Sequence, residues 1–538
     1  MKKLLIYIGI TSALLQAGCT KNFEEINTDP TQTDAAHYDP NYLLTSAQYM
    51  FSSQGYNISL FTSMWAQTMA STSSLSSNYL SNADKYVASS GTPDYQGRLW
   101  NNNYGQSDQF WTGAGSMVYE AASLTADDAS KSNLNAICKI MKVLLLQELT
   151  DVYGDIPYSQ ALQGKAGVTQ PVYDKQQDIY NTMFKELEAA IGQLSTSGGA
   201  VSGDLYYKGD VAKWKKFGYS LMLRLAMRLT KVDAATAKTW AEKAAAGGTF
   251  AGVADDAFIA TQNSTGHDNA QARVYNTDIY QTRWSKTFID YLRANNDPRL
   301  GVIAEVPADG LAANQTSSPG VTTAAVQLGM PNGYDLNGGP TDITHAPGYP
   351  GGTGTGANAT PIGKYSRPRT SMYANRSGNI FVLTYAETEL MLAEAAARGW
   401  SVGATAAAHY RNGVSAALQS LAVLGADGAI SATIADAYAL AHPLNITSLD
   451  ASLKQINEQY WATTGAFFLY VETWINWKRS GYPVLTPVNY QSNFSNGTIP
   501  RRQPYPTIEA NLNKANYNDA VSRIGTGDNW TSRVWWDK

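Results

Sequence analysis

Aromatic rings and side-chain amides are concentrated in stretches of this chain that follow neither a helical nor a strand period. Tyr79, Tyr86, Tyr95, Trp100, Asn101, Asn102, Asn103, Tyr104 and Trp111 crowd one stretch. Tyr275, Tyr280 and Trp284 form a second group, and Tyr334, Tyr349, Tyr365 and Tyr373 a third. The chemistry this offers is recognition. A sugar ring has apolar C–H faces and a hydroxyl rim; aromatic platforms match the faces, and Asn, Asp and Arg satisfy the rim. Peptides use the same platforms. The candidate ligand contacts are therefore Tyr79, Tyr86, Trp100, Asn101, Asn103, Tyr104, Trp284, Tyr334 and Tyr365. A plainer alternative stands beside each: Tyr and Trp also pack loops onto a scaffold. Trp111 and Tyr119, two turns apart on one helix, read as core, whereas Trp100 and Tyr104 beside three Asn read as exposed. On that reading Trp100→Ala weakens ligand binding without unfolding the chain.

A search for bond-breaking chemistry returns little. The chain has no His-Glu-x-x-His, no Gly-x-Ser-x-Gly and no Gly-x-x-x-x-Gly-Lys-[Ser/Thr]. Gly352-Thr-Gly354-Thr-Gly356 follows a Pro-Gly turn and opens no helix, so it lacks the context of a dinucleotide loop. Asp335-Leu-Asn337-Gly-Gly-Pro-Thr-Asp342 could hold Ca²⁺ through oxygen ligands, but it lacks EF-hand spacing and reads as a turn. A glycosidase needs two carboxylates placed by the fold, not by sequence spacing, so 44 Asp+Glu neither supply nor exclude one. No catalytic residue, metal ligand or cofactor is assigned. Five His and two Cys among 538 residues cannot build a four-cysteine zinc site or a disulfide framework. A net charge of −4 leaves no electrostatic footprint for nucleic acid. Charged residues are 16%, below the usual ~25%, while Tyr outnumbers Phe 33 to 13 beside 13 Trp. That bias suits surfaces that are apolar and wet at once.

The first residues are an address. Lys2 and Lys3 precede an apolar stretch, Leu4 to Ala17, and then Ala17-Gly18-Cys19. This is a secretory signal, too short and lightly flanked for a permanent span. The Cys after Ala-Gly resembles a bacterial lipobox, although Gln16 occupies a position that is usually apolar. The resemblance implies cleavage before Cys19, lipidation of its thiol, and loss of residues 1–18. An ordinary secreted protein with a coincidental Cys is the alternative. Cys138, among Ile137, Ile140, Met141 and Leu144, reads as a buried free thiol.

The elements that must position the aromatic groups are helices. Apolar spacing predicts helices over Asn133–Thr150, Asp174–Leu194 (with Asp174 and Gln177 as a capping box), Asp210–Leu229, Ala234–Ala246 and Trp284–Ala294. Residues 301–379 show no sustained period and are rich in Gly, Pro, Thr, Ser and Asn. Helices resume at Thr384–Arg398, Ala404–Leu421, Leu449–Thr463 and Phe467–Arg479, and the tail from Pro500 is loop-like and aromatic. Leu392-Ala-Glu-Ala-Ala-Ala-Arg-Gly399 followed by Ala408-His-Tyr410 and Gly413 resembles a tetratricopeptide unit; generic helix hairpins are the alternative. The fold class is mainly α: helix hairpins with long irregular loops near 71–115 and 263–380.

Several motifs, in order along nearly the whole chain, resemble the SusD/RagB family. They are Phe23-Glu-Glu-Ile-Asn-Thr-Asp-Pro30, Asp151-Val-Tyr-Gly-Asp-Ile-Pro-Tyr-Ser159, Asp174-Lys-Gln-Gln177, Leu223-Arg-Leu-Ala-Met-Arg-Leu229, Asp297-Pro-Arg299, Tyr385-Ala-Glu387, Ala393 to Gly399, Arg479-Ser-Gly-Tyr-Pro483, Pro500-Arg-Arg502 and Arg533-Val-Trp-Trp-Asp-Lys538. The resemblance implies a SusD-like α/α superhelix, a single domain over 19–538, anchored to the outer membrane through Cys19 and exposed at the cell surface. It implies a non-catalytic lid that captures a glycan, or sometimes a peptide, and passes it to a SusC-like TonB-dependent transporter. A surface glycoside hydrolase is the alternative from another class. Family motifs are mainly scaffold, and ligand residues are not carried over from them.

Overall fold

The computed structural model describes residues 38–52, 59–72, 83–87, 92–105, 113–278, 282–307, 316–351 and 363–538. Cys19 and the signal segment, the Phe23–Pro30 motif, Tyr79, Trp111, Tyr280 and Gly352–Gly356 lie outside the described residues. The chain divides into Met1–Pro40 and a compact unit, Asn41–Lys538. Among the described residues no helix is long and apolar enough to cross a membrane.

The second unit is built mostly of helices. It opens with α1 (Asn41–Ser52), α2 (Ser59–Trp65), β1 (Met69–Ser71), α3 (Thr92–Tyr104) and α4 (Ala114–Leu124). The long α5 (Ser132–Tyr153), α6 (Gln176–Gln193), α7 (Val211–Arg228) and α8 (Ala234–Gly247) follow as packed neighbours. A loop-rich middle contains β2 (Ala257–Ile259), α9 (Ala270–Asp278), β3 (Thr282–Trp284), α10 (Lys286–Ala294), α11 (Leu300–Ile303), β4 (Ala304–Glu305), β5 (Arg367–Pro368), α12 (Thr370–Tyr373) and β6 (Ile380–Leu383). The strands form three two-stranded antiparallel ribbons, β1–β3, β2–β6 and β4–β5. The C-terminal hairpins are α13 (Tyr385–Ala397), α14 (Ala406–Gln419), α15 (Ala432–Ala441), α16 (Leu449–Ala466) and α17 (Tyr470–Ser480), and the tail holds α18 (Glu509–Leu512) and α19 (Lys514–Ser522).

Local chemistry sets these boundaries. Asp210 caps α7, accepting from the amides of Ala212 and Lys213. Thr384 and Glu387 make a reciprocal capping box on α13. The sequence places a second box at Asp174 and Gln177, and the structure corrects it. Asp174 accepts from the Tyr158 amide at 2.9 Å and the Ser159 amide at 2.8 Å, so it pins the preceding turn, and the N-cap position of α6 is Lys175, whose side chain makes no capping bond. Two further differences are real. The poorly periodic stretch contains α3, whose polar Asn101–Asn103 hides its apolar face, and the tail expected as loop contains α19. Close packing needs small residues at two crossings. A Cβ on Gly218 would lie 2.6 Å from Ile191, and one on Gly413 would lie 2.8 Å from Leu390. Cys138 is fully buried, and burial pushes its thiol up to about 12, which leaves it an unreactive core residue.

The family-like motifs meet in two buried ionic clusters, which together form the network of the helical body. Arg224 on α7 donates to Glu387 on α13 at 2.8 Å, and Arg228, one turn on, reaches Asp151 at 3.2 Å and Glu472 on α17. Trp536 donates its indole N–H to Asp151 at 2.7 Å. Arg479 makes two 2.7 Å bonds to the carboxylate of Glu394, which also accepts from Asn457 at 3.0 Å. Buried ions are costly unless paired and further hydrogen-bonded, which these are. The network ties α5, α7, α13 and α17 into one body, and that is why such motifs read as scaffold.

Candidate functional site

The loop-rich middle is held up by the β1–β3 ribbon, registered Met69↔Trp284 to Ser71↔Thr282. A small apolar cluster, separate from the main core, forms beside it from Ala70, Met330, Ile343, Ala346 and Tyr365. Leu328, Tyr334, Leu336 and Tyr349 pack against it, half-buried. Backbone bonds continue the ribbon outward: Met330 N–H donates to Trp284 O at 2.9 Å and Ser366 N–H to Leu328 O at 2.7 Å.

Under this platform lies a charged pair with no outward face. Asp84 and Lys85 are both fully buried. Lys85 donates to Ser71 O at 2.9 Å, and Asp84 accepts from the Gly333 amide at 2.8 Å and from Asn332. Burial raises the Asp84 carboxyl and lowers the Lys85 ammonium, and their mutual attraction opposes both shifts. The pair thus fixes the loop at Asn332–Gly333 to the ribbon.

The turn from Asp335 to Asp342 is closed on itself. Asp335 accepts from the Asn337 amide at 3.0 Å, from Thr341 at 2.7 Å and from Tyr490. Partial burial opposes ionisation, but these bonds hold its carboxyl below the usual range. Asp342 accepts from the amides of Gly338 and Thr344, each at 3.0 Å. The acids suited in sequence to Ca²⁺ are occupied by the turn's own donors. Among the described residues no group of three or more His, Cys, Asp or Glu is placed to hold a metal.

A concavity of about 650 Å³ lies beside α3 and the turn before α6. Trp100, Tyr104, Tyr119, Glu120, Lys165 and Glu509 are among its lining. Trp100 is packed by four rings: Tyr104 at 5.0 Å, Tyr153 at 5.5 Å, Tyr173 stacked at 5.7 Å and Tyr505 at 5.8 Å. Tyr104 donates to Pro157 O. Glu509 accepts from Tyr173 at 2.6 Å, and burial raises its carboxyl. Glu120 pairs with the exposed Lys165 at 2.6 Å. Each acid of this groove therefore has a protein partner.

The structure divides the residues singled out from sequence. Tyr334 is half-buried on the platform; Asn101 is exposed and Tyr104 half-buried at the groove. Trp100, 4% exposed, is a correction to its expected exposure: its indole fills the space between four tyrosines. Tyr86, Trp284 and Tyr365 are also buried and present no face to a ligand. Trp284 stacks on Phe288 at 4.8 Å and donates to Ile303 O at 3.2 Å. Tyr86 bonds through its carbonyl to the Phe494 amide at 2.8 Å. Asn103 is buried, donating to Leu99 O at 2.9 Å. For the rings the physical reason is shared: a ring beside a loop lowers its free energy more by covering apolar surface than by facing water. The groups at the platform thus do not meet those at the groove in one site. Asp84, Lys85, Tyr173 and Glu509 escape sequence reading. An adjacent Asp-Lys looks solvated, and Tyr173 and Glu509 stand 336 residues apart.

A family model named SusD-like and described as starch-binding, associating with the outer membrane, matches residues 32–506. Among solved structures, the chain is similar to a chitin-binding protein at 32% identity and TM-score 0.76, covering 93% of this chain and 100% of that one. It is similar to a Bacteroidetes SusD-like protein at 26% and 0.77, covering 93% and 100%. A SusD-like protein from Bacteroides thetaiotaomicron shares the fold at 23% identity and TM-score 0.71, covering 93% and 99%. No curated protein matches the chain.

Proposed function

Because the chain belongs to the SusD-like family, whose members associate with the outer membrane, we propose that it is a non-catalytic nutrient-binding lipoprotein. It captures a glycan at the cell surface and delivers it to a SusC-like TonB-dependent transporter. The mature body runs from Cys19 to Lys538, with ligand contacts in the loops near 71–115 and 263–380. The observation that carries the reading is the platform: Tyr334 and Tyr349 set half-buried on their own apolar cluster, apart from the main core. Rings held this way are already ordered before a ligand arrives, so binding costs little side-chain entropy. A structure titled as a chitin-binding protein is similar to this chain, which makes chito-oligosaccharides the first probe and malto-oligosaccharides the second.

Titration calorimetry should detect saturable binding of one of these oligosaccharides. Tyr334→Ala and Tyr349→Ala should each weaken it about three- to tenfold, the value of one aromatic contact, with melting unchanged to within a few degrees. Affinity untouched by both substitutions removes the platform from the site. After prolonged incubation the ligand should be recovered whole. Shorter products on a chromatogram would establish the glycoside hydrolase reading instead.

The anchor has its own test. Cys19→Ala in the native host should move the protein from the membrane fraction to the soluble fraction, since stable attachment needs more than one acyl chain or an equivalent second signal. Retention in the membrane fraction would show that attachment does not run through Cys19.

A further inference from the structure

A second concavity, about 550 Å³, lies between the Asp151–Ser159 turn, the start of α6 and the C-terminal tail. Its side chains are unlike those of the platform and the groove. Five basic residues, Lys175, Arg502, Arg523, Arg533 and Lys538, line it with two acids, Asp155 and Asp537. Both acids are already engaged. Asp155 accepts from Arg523 at 2.6 Å and from the Gln176 amide at 2.9 Å, where α6 begins. Asp537 is buried between Arg501 at 2.8 Å and Arg533 at 3.2 Å, so two guanidiniums share one carboxylate. Just outside the wall, Asp519 pairs with Arg523 and Asp528 with Arg502.

The basic groups are less fully matched. Arg502 is 1% exposed. It donates through Nε to Tyr153 O at 2.8 Å and through Nη1 to Asp528, and it lies 4.4 Å from the centre of the Tyr505 ring. Its Nη2 is buried and has no hydrogen-bond partner among the described residues. An unpaired buried donor on a guanidinium costs more than a neutral one, so the position is suited to an acceptor that also carries charge. Lys175 is exposed at the N-terminal end of the 18-residue α6 and makes no ion pair among the described residues. The helix end adds positive potential to the same concavity.

We infer that this concavity binds a tetrahedral oxyanion, a phosphate or sulfate group. Arg502 and Arg523 form its inner wall, and the exposed Lys175 and Arg533 its outer contacts. The inference is independent of the glycan platform, which shares none of these residues. The group can be carried on a sugar, on a lipid headgroup or free in solution.

The test uses the purified full chain. Melting temperature and calorimetric heats are followed against sodium phosphate and sodium sulfate, with sodium chloride at equal ionic strength as reference. The expected result is a saturable rise in melting temperature with phosphate or sulfate that chloride does not reproduce. The double variant Lys175→Gln/Arg533→Gln, altered only at exposed side chains, should keep the chloride melting temperature and bind phosphate at least tenfold more weakly. Glucose 6-phosphate and phosphatidylglycerol vesicles then separate the sources, the tighter binder being the carrier. Equal effects of chloride and phosphate, or a phosphate response unchanged in the double variant, would overturn the site. Neither outcome touches the oligosaccharide titration, so this proposal and the glycan reading fail separately.

Discussion

Glu394→Ala should lower the stability of the protein by about 3–5 kcal/mol, because it leaves a guanidinium buried without its counter-ion. Arg479 is 3% exposed and meets both oxygens of Glu394, while Asn457 and Asn476 supply further contacts. The side chain on α13 and its partner on α17 thus close the hairpin stack from opposite sides. Urea unfolding followed by circular dichroism should show the loss as a lower midpoint. The double variant Glu394→Met/Arg479→Met should recover most of it, since removing both charges also removes the desolvation cost. A single variant with a wild-type midpoint would mean that the network does not hold the stack together. The pH dependence has a definite sign. Burial on its own would raise the Glu394 carboxyl, but Arg479 and then Arg398 hold it well below the usual carboxylate range. A carboxyl lowered on folding contributes fully above its unfolded value, about 4.3, and loses that contribution as pH falls through the folded value. The wild type should therefore lose stability steeply below about pH 4.3, and Glu394→Ala should show a shallower slope in that window.

The second large effect is at Trp100. Trp100→Ala should cost about 3–5 kcal/mol, the range for deleting a buried aromatic side chain. Tyr104, Tyr153, Tyr173 and Tyr505 surround the indole, and these rings come from three separate parts of the chain. Removing it enlarges the neighbouring groove and frees the contact between α3 and the tail. Tyr104→Phe is the milder companion. It deletes only the bond to Pro157 O and should cost about 0.5–1.5 kcal/mol. Denaturant midpoints of the two variants distinguish a packing role from a contact role. If Trp100→Ala melts like the wild type and loses ligand, the indole serves the ligand after all.

Trp100 is buried beside three consecutive Asn for a specific reason. On α3 the Asn101 side chain and the indole point in different directions, so polar neighbours in sequence do not place a residue at the surface. Asn101 is exposed, while Asn103 and Trp100 face inward. The same limit applies to Trp284, which sits at the end of a three-residue strand and turns its ring onto the first helix that follows. Short ribbons and irregular loops carry too few residues for a period, so their inward and outward faces cannot be read by counting. The long helices could be read that way. The apolar spacing over Asp210–Leu229 matches α7 almost residue for residue, and Asp210 caps it. Among the helices absent from the sequence expectations, α15 is short and rich in Ala, with Ile434 and Leu440 exposed, so it offers little contrast between faces.

By itself the sequence determined that the chain is mainly helical, that its motifs follow a SusD-like order, and that its irregular stretches are rich in Tyr, Trp and Asn. Those properties are local or additive: a helix is specified by side chains within a few turns, and composition needs no geometry. Only the tertiary structure decided which rings meet solvent and which acids are neutralised. It turned Arg224, Arg228, Glu387 and Glu394 into a buried network, and it brought Arg502 and Arg533 beside Lys175 across more than three hundred residues of chain. Burial and ion pairing depend on what the rest of the chain places within a few ångströms, and distance along the sequence carries almost no information about that.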